Sequence, residues 1–437
     1  MSPQHLALAW SALFAAALIG GTALKLWLAQ RQQRHVLAHR DAVPAPFRAS
    51  ISLEAHQKAA DYTVAKLRFG LWTTLFSAMI VLVWTLEGGL QLLNGWVSAA
   101  FGTALGGQLA LLVAFAVIGS LLDLPWEVAR TFGLESRFGF NRLTPRMFVV
   151  DLLKNALVGA VLMLPLALLV LWIMQVAGGW WWLWAWAGLT AFSLLMMVAY
   201  PLVIAPLFNK FQPLPDGEVK TRAQALMQRC DFALSGLFVM DGSRRSAHAN
   251  AYFTGMGAAR RVVLFDTLLG QLSPAQIEGV LAHEVGHYKR HHILKRMGVM
   301  FGVSLAGFAL LGWLSNQVWF YVGLGVMPNL FAPNHALALI LFSLALPVFG
   351  VFFSPLGAAT SRKHEFEADA YAAQHSDARA LGEALVTLYR DNASTLTPDP
   401  IYVRFYYSHP PALQRLERLG ALPSSIAPSS AHTPATA

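Results

Sequence analysis

The sequence predicts an all-α polytopic membrane protein: seven transmembrane helices, with a small α+β insert between the fifth and the sixth. Three observations predict it. The chain has 437 residues, is 56% hydrophobic and 13% charged, and has a mean hydropathy of +0.49, whereas a soluble domain carries about 25% charge. Seven stretches reach the ~20 apolar residues that cross a bilayer. Lysine and arginine fall in blocks that alternate with the apolar ones.

The spans run approximately 6–29, 70–94, 105–125, 155–177, 180–204, 297–321 and 335–357. The first has no positive region before it, and its basic residues follow it. It is therefore read as a retained span and not as a signal peptide. Segment 31–68 holds Arg31, Arg34, Arg40, Arg48, Lys58, Lys66 and Arg68. Segments 130–154, 210–296 and 362–418 hold every other lysine and arginine except Lys25, at the end of span one. The segments around 95–108, 177–181 and 322–336 have none. All the positive charge thus falls on one side, which places the N-terminus outside and the C-terminus in the cytoplasm. The net charge of +9 and pI of 9.8 belong to these loops. No soluble basic domain is visible, so nucleic acid is not expected as a partner. Cys230 is the single cysteine, which excludes an internal disulfide and a thiolate metal cluster. Fourteen tryptophans suit the two membrane interfaces.

Five regions follow: spans one to five with their loops (1–204), an insert (205–296), spans six and seven (297–357), a C-terminal helical region (358–420) and a tail (421–437). The tail is rich in Ala, Ser and Pro, cannot bury a core and is expected to be disordered. Within the insert, a helix is expected around 217–230 and a short strand at 236–240, GLFVM. AYFTG (251–255) and RVVLFDT (261–267), separated by MGAAR, read as a hairpin. In LSPAQIEGVLAHEVGHYKRHH, Ser273 is an expected N-cap with Pro274 at the first helical position. Ile277, Val280, Leu281 and Val285 then recur at helical spacing.

That helix carries HEVGH. Residues four apart share a helix face, so His283 and His287 can reach one divalent metal. Glu284 sits roughly 100° around the helix and can reach a water there without becoming a ligand. Gly286 leaves the face beside His287 open. These are the parts of metal-assisted hydrolysis, in which a carboxylate moves the proton of the attacking water. The pattern alone is short, and the same segment also holds His291 and His292. A catalytic zinc takes a third protein ligand. SRKHEFEADAYAA, just past span seven, offers Glu365, with Asp369 one turn on able to accept the free N–H of a ligating histidine. The plain alternative is an acidic helix face pairing with Arg362 or Lys363, and Glu367 is assigned to that role. Both motifs lie on the same predicted side of the membrane, at the ends of neighbouring spans.

HEVGH and EFEAD together on a seven-span chain resemble the gluzincin membrane proteases. The nearer resemblance is to the integral-membrane zinc CAAX prenyl protease family (type I, peptidase family M48). Further matching stretches are RFGFNRLTP (137–145), IAPLFNKFQPLPDGEVK (204–220), MDGSRRSAHANAYFTG (240–255), RVVLFDTLL (261–269) and YYSHPPALQRLERL (406–419). The resemblance implies seven helices enclosing a water-filled chamber, with a small gluzincin-like metalloprotease insert. It implies one zinc per chain on His283, His287 and Glu365, with Glu284 as general base and acid and Asp369 supporting a zinc-bound histidine. It implies a substrate peptide paired along an edge strand at Asn250, Ala251, Tyr252 and Phe253, the first two nearest the scissile bond. His409 would donate to the oxyanion, and Arg415 would lie close to the site. A chamber would also account for Glu87, Asp123 and Glu127 near spans, which otherwise mark helix ends.

The implied activity is removal of the C-terminal tripeptide from prenylated proteins. The compact insert and the Ala/Leu/Trp-rich composition suggest a bacterial inner membrane. There a quality-control protease without prenyl specificity becomes the alternative. A metal channel or transporter would place its ionisable residues at the bilayer midplane, whereas these cluster outside the spans.

Overall fold

The computed structural model describes residues 2–254 and 261–422. α1 (Pro3–Ala38) starts at Ser2, whose hydroxyl accepts the His5 N–H, with Pro3 at the first helical position. α2 (Leu53–Trp84) starts likewise at Ser52 and packs along α1. It stops at Thr85, inside the stretch 70–94 that the sequence suggested was one span. After a turn in which Gly88 takes φ 77°, α3 (Gly89–Phe101) begins. Glycine enters that left-handed region without a Cβ penalty, so the break falls there. The second apolar helix is therefore Leu53–Trp84.

α4 (Leu105–Val128) runs on through a π-helical stretch, Ala129–Glu135. α5 (Pro145–Val176) and α6 (Trp181–Ala199) follow, and α6 passes through a second π-helical stretch into α7 (Ala205–Phe208). Next come β1 (Phe211–Pro213), α8 (Glu218–Arg229), β2 (Gly236–Met240), β3 (Ala251–Thr254), β4 (Arg261–Phe265), α9 (Asp266–Gln271) and α10 (Pro274–Lys289). α11 (His292–Leu314), α12 (Val318–Val322) and α13 (His335–Gly350) lead through one 3-10 turn into α14 (Ser354–His375). α15 (Ala378–Asp391), α16 (Pro400–Tyr406) and α17 (Ala412–Leu419) close the described chain. Among the described residues seven helices are long and apolar enough to cross a membrane. The last of these runs from His335 to His375, well past the expected end near 357.

The expected strands and hairpin are present, and β3 pairs antiparallel with β4. The hairpin's connection, residues 255–260, lies outside the described residues. Two features were not expected: β1 itself, and the parallel pairing of β2 with β4. The sheet order is β1-β2-β4-β3, which leaves β3 at an edge.

Two large apolar cores hold the described residues together. One joins the spanning helices through Phe14, Leu90, Leu171, Phe320 and Leu341, all fully buried. The other joins sheet and helices through Leu226, Leu264, Ile277, Leu281 and Val285, also fully buried. Each such side chain contributes about 1.5–3 kcal/mol on burial, so α10 is pinned by the apolar face opposite its chemistry. Ala421 and Leu422, read from sequence as the start of the tail, instead pack on the small core around Leu416. Residues 423–437 lie outside the described residues. Glu87 sits in the turn after α2, and Glu127 pairs with Arg130 at 3.2 Å.

Candidate active site

α10 begins as its sequence dictates. Ser273 and Gln276 form a reciprocal capping box and Pro274 occupies the first helical position. This sets the phase that puts His283 and His287 on one face, with their Nε2 atoms 3.2 Å apart. α14 lies across α10 and brings in Glu365, whose carboxylate oxygens stand 3.4 Å from His283 Nε2 and 3.3 Å from His287 Nε2. Four ligands in a tetrahedron at ~2.0–2.1 Å from zinc stand about 3.3–3.4 Å from one another. Each imidazole-to-carboxylate gap has that spacing, with Oε2 of Glu365 facing His283 and Oε1 facing His287, and the ligand atoms of the three residues all lie within 4.8 Å of one another. Glu365 Oε2 is buried and makes no hydrogen bond. A buried carboxylate that turns one oxygen to each of two imidazole nitrogens is chemistry that suits a cation.

The close approach depends on glycine. A Cβ on Gly286 would stand 3.0 Å from the Cα and carbonyl oxygen of Ala368, and one on Gly279 would stand 3.1 Å from Leu381 Cα. Gly286 was read from sequence as opening space beside His287. Its actual effect is to let α14 approach α10 closely enough for Glu365 to reach the histidines.

Both histidines are oriented from behind. Asp369 Oδ1 lies 2.8 Å from His283 Nδ1. The buried Arg415, from α17, grips the same carboxylate with two bonds of 2.6 and 2.8 Å. Arg415 also lies 3.4 Å from His283 Nδ1. Arginine has only donors, and the shorter carboxylate contact takes precedence. Nδ1–H therefore donates to Asp369 and leaves Nε2 free for a metal. Burial pushes the His283 imidazole down, but Asp369 and Glu365 outweigh it and hold it up at about 9. The site binds positive charge at that nitrogen, as a proton or as a metal ion.

The same device recurs at His287. Its Nδ1 lies 3.0 Å from His292 Nδ1, and His292 Nε2 lies 2.9 Å from Glu367 Oε2. Glu367 is thus not merely the partner of Lys363, which is more distant at 3.9 Å. The sequence marks His292 only as a further histidine in the segment and assigns it no role. The structure shows why it counts: His291 takes φ 57°, ends α10 and turns His292 back toward the site.

Family models match most of the chain. The CAAX prenyl protease N-terminal model, with five membrane helices, covers residues 32–210, and the peptidase family M48 model covers 213–422. The CAAX prenyl protease 1 homolog of Mus musculus is 30% identical over 93% of this chain and 95% of its own. That of Arabidopsis thaliana is 36% identical over 71% and 73%. CAAX prenyl protease 1 of Saccharomyces cerevisiae is 30% identical over 95% and 96%. The crystal structure of S. mikatae Ste24p aligns with a TM-score of 0.88 at 29% identity, over 94% of this chain and 99% of that one. The chain belongs to the integral-membrane CAAX prenyl protease 1 family of M48 peptidases. It is a membrane metalloprotease.

The remaining site residues of this M48 peptidase have defined places. The Glu284 carboxylate lies among His283, His287, Glu365 and Arg415, and burial raises it above the ordinary carboxylate value of 4.5. That is the direction that suits a base working near neutral pH. His409 Nε2 stands 3.5 Å from Glu365 Oε1, on the open side of the donors. The Ser408 hydroxyl lies 2.9 Å from His409 Nδ1 and can donate to it, leaving Nε2–H as a donor toward the site. The side chain is 61% exposed and lines a cavity, and desolvation by the protein around it lowers its pKa.

The cavity measures about 940 Å³ and is lined by α1, α2, α15 and α16, with Asn250, His409 and Arg415 at the site. Lys25 and Thr74 also line a second cavity of about 300 Å³, deeper between α1, α2 and α13. Neither cavity is lined by Glu87, Asp123 or Glu127. Of the expected substrate residues, Asn250 lines the large cavity. Phe253 packs edge-on against Phe232, and Tyr252 against Phe265. Their side chains therefore build the sheet, and what β3 offers a peptide is its backbone edge.

Proposed function

We propose that this peptidase holds one zinc ion on His283, His287 and Glu365, and hydrolyses peptides carrying a prenylated C-terminal CAAX motif. The observation that carries the reading is the convergence of two imidazoles and a carboxylate whose ligand atoms all lie within 4.8 Å of one another, beside the buried Glu284 carboxylate and at the wall of a large cavity. A bound zinc would supply Lewis acidity, making water more acidic and the substrate carbonyl more electrophilic. Glu284 takes the proton of the attacking water on its carboxylate and delivers it to the departing amine. His409 Nε2–H donates to the carbonyl oxygen as charge develops there. Asp369 and His292 keep each ligating imidazole protonated at Nδ1, so Nε2 faces the metal. Asn250 and the free edge of β3 align the peptide by β-augmentation. Arg415 holds Asp369 in place.

The relatives are named CAAX prenyl proteases, and the deeper cavity, with Leu18, Val81, Leu344 and Val351 in its wall, gives an apolar prenyl chain a place beside the site. We further propose that the insert and the C-terminal helices face the cytoplasm and the N-terminus the outside. All the positive charge flanks the spans on that one side. A bacterial inner membrane is proposed on composition. The test is cleavage of matched prenylated and unprenylated C-terminal peptides by the purified protein in lipid discs. Faster turnover of the prenylated peptide is expected. Equal turnover of both would replace the CAAX reading with a quality-control protease.

A further inference from the structure

α14 presents two faces to two different environments. Glu365 and Asp369 point to the metal donors, while Ala359, Lys363, Phe366 and Ala370 fall on another face that lines a separate cavity of about 720 Å³. That cavity shares no lining residue with the large one. Arg290, Lys295, Arg362, Lys363 and Arg418 surround it, and Glu367 is the single acid in its wall. Glu367 is already held by His292 at 2.9 Å. Arg362 donates to the carbonyls of Val403 and Tyr407, and Arg418 stacks on Phe366. Among the described residues, no ion pair engages Arg290, Lys295 or Arg418. Cations beside membrane spans are common. Five around one concavity with so little counter-charge are a site for a multiply bonded anion.

Its position selects the anion. Lys295 lies in the first turn of α11, and the ridge beyond it, Val299 at 67% and Val303 at 68% exposure, runs up the outward surface of that span. On α14, Leu356, 70% exposed, precedes Ala359 by one turn on the cavity-lining face. The cations therefore sit where two lipid-facing apolar ridges meet water. We propose that this cavity binds the phosphate headgroup of an anionic phospholipid, with its acyl chains lying along the Val299/Val303 and Leu356 ridges. The guanidinium groups of Arg290 and Arg418 and the ammonium groups of Lys295 and Lys363 hold the phosphate oxygens. The bound lipid fixes the ends of α11 and α14 relative to each other, on the far side of α14 from the peptide cavity.

The experiment uses the full-length protein in discs of phosphatidylcholine with a minor share of phosphatidylglycerol. Lipid retained on release into detergent is read by native mass spectrometry. The wild-type protein retains phosphatidylglycerol above its share. Lys295→Gln with Lys363→Gln reduces that affinity about twenty-five-fold, at about fivefold for each cation near a lipid phosphate. Lys295→Arg with Lys363→Arg retains it. Lys220→Gln with Arg379→Gln, which removes equal charge from ion-paired sites elsewhere, also retains it. Melting temperatures in phosphatidylcholine alone verify that all variants fold. The proposal is overturned if the wild type shows no preference, or if the distant pair loses as much as the cavity pair. Displacement by soluble glycerol phosphate as effective as displacement by lipid also overturns it, because the site would then take a free anion.

Discussion

Replacing Gly286 with alanine isolates the close helix approach on which the metal site depends. The new Cβ would meet Ala368 Cα and O at 3.0 Å and Tyr371 Cβ at 3.1 Å. Ordinary carbon contacts lie at about 3.5–4.0 Å, and two of these neighbours are backbone, so α14 has to withdraw from α10 by about 0.5 Å. Glu365, one turn earlier on α14, moves with it. Its spacings to the histidine nitrogens, now 3.3 and 3.4 Å, then exceed the ~3.3–3.4 Å of tetrahedral ligands.

Two free-energy effects oppose each other in that variant. Alanine favours the helix by up to about 1 kcal/mol over glycine, while overpacking costs about 1–3 kcal/mol. The net loss of stability is therefore modest, at most about 2 kcal/mol. The loss of metal affinity is larger, at roughly 10–100-fold, as for other disturbances of ligand orientation. The assay is metal content by plasma mass spectrometry across a chelator series, alongside a melting curve. Gly298→Ala is the control, because nothing lies within 4 Å of a Cβ there, and it should keep its metal. If Gly286→Ala held metal through the same chelator series as the parent, the reasoning from helix approach to ligand spacing would be refuted.

Three further outcomes are expected. Asp369→Ala leaves Arg415 buried without its carboxylate, so it should lower stability by about 3–5 kcal/mol and weaken metal binding by roughly 10–100-fold; an unchanged metal titration would remove Asp369 from its supporting role. His292→Ala should weaken metal binding by a similar factor, roughly 10–100-fold, and Glu367→Gln by less, since its amide oxygen still accepts from His292; the opposite ranking would contradict the chain from Glu367 to His287. Glu284 must be ionised to accept a proton and its pKa is raised by burial, so kcat/KM should fall as pH drops through a value above 4.5. An acid limb at or below the ordinary carboxylate range would assign the base elsewhere.

The legible parts of the molecule were those fixed by local physics. Seven apolar stretches need only bilayer thickness. The capping box at Ser273 and Gln276 needs only one helical turn. Glu365 and Asp369 could be named because two carboxylates at a helical spacing of four fall on one face, and the structure brings both of them to His283. His292 and Glu367 escaped because their link to His287 runs through a left-handed residue, His291, and a tertiary contact across 75 residues of sequence. The break at Gly88 escaped because apolar residues continue on both sides of it, so hydropathy alone merges α2 with α3. The parallel pairing of β2 with β4 escaped for a related reason: strand pattern fixes alternation and says nothing of which strand a neighbour chooses.

The central claim is that three side chains hold the metal while a fourth moves the proton. Glu284→Gln separates the two within one sample, by metal content and peptide cleavage on the same purified protein. The account predicts undiminished metal with cleavage reduced at least 10²–10⁴-fold, the share of a positioned general base. Cleavage at the parent rate with metal retained would contradict it.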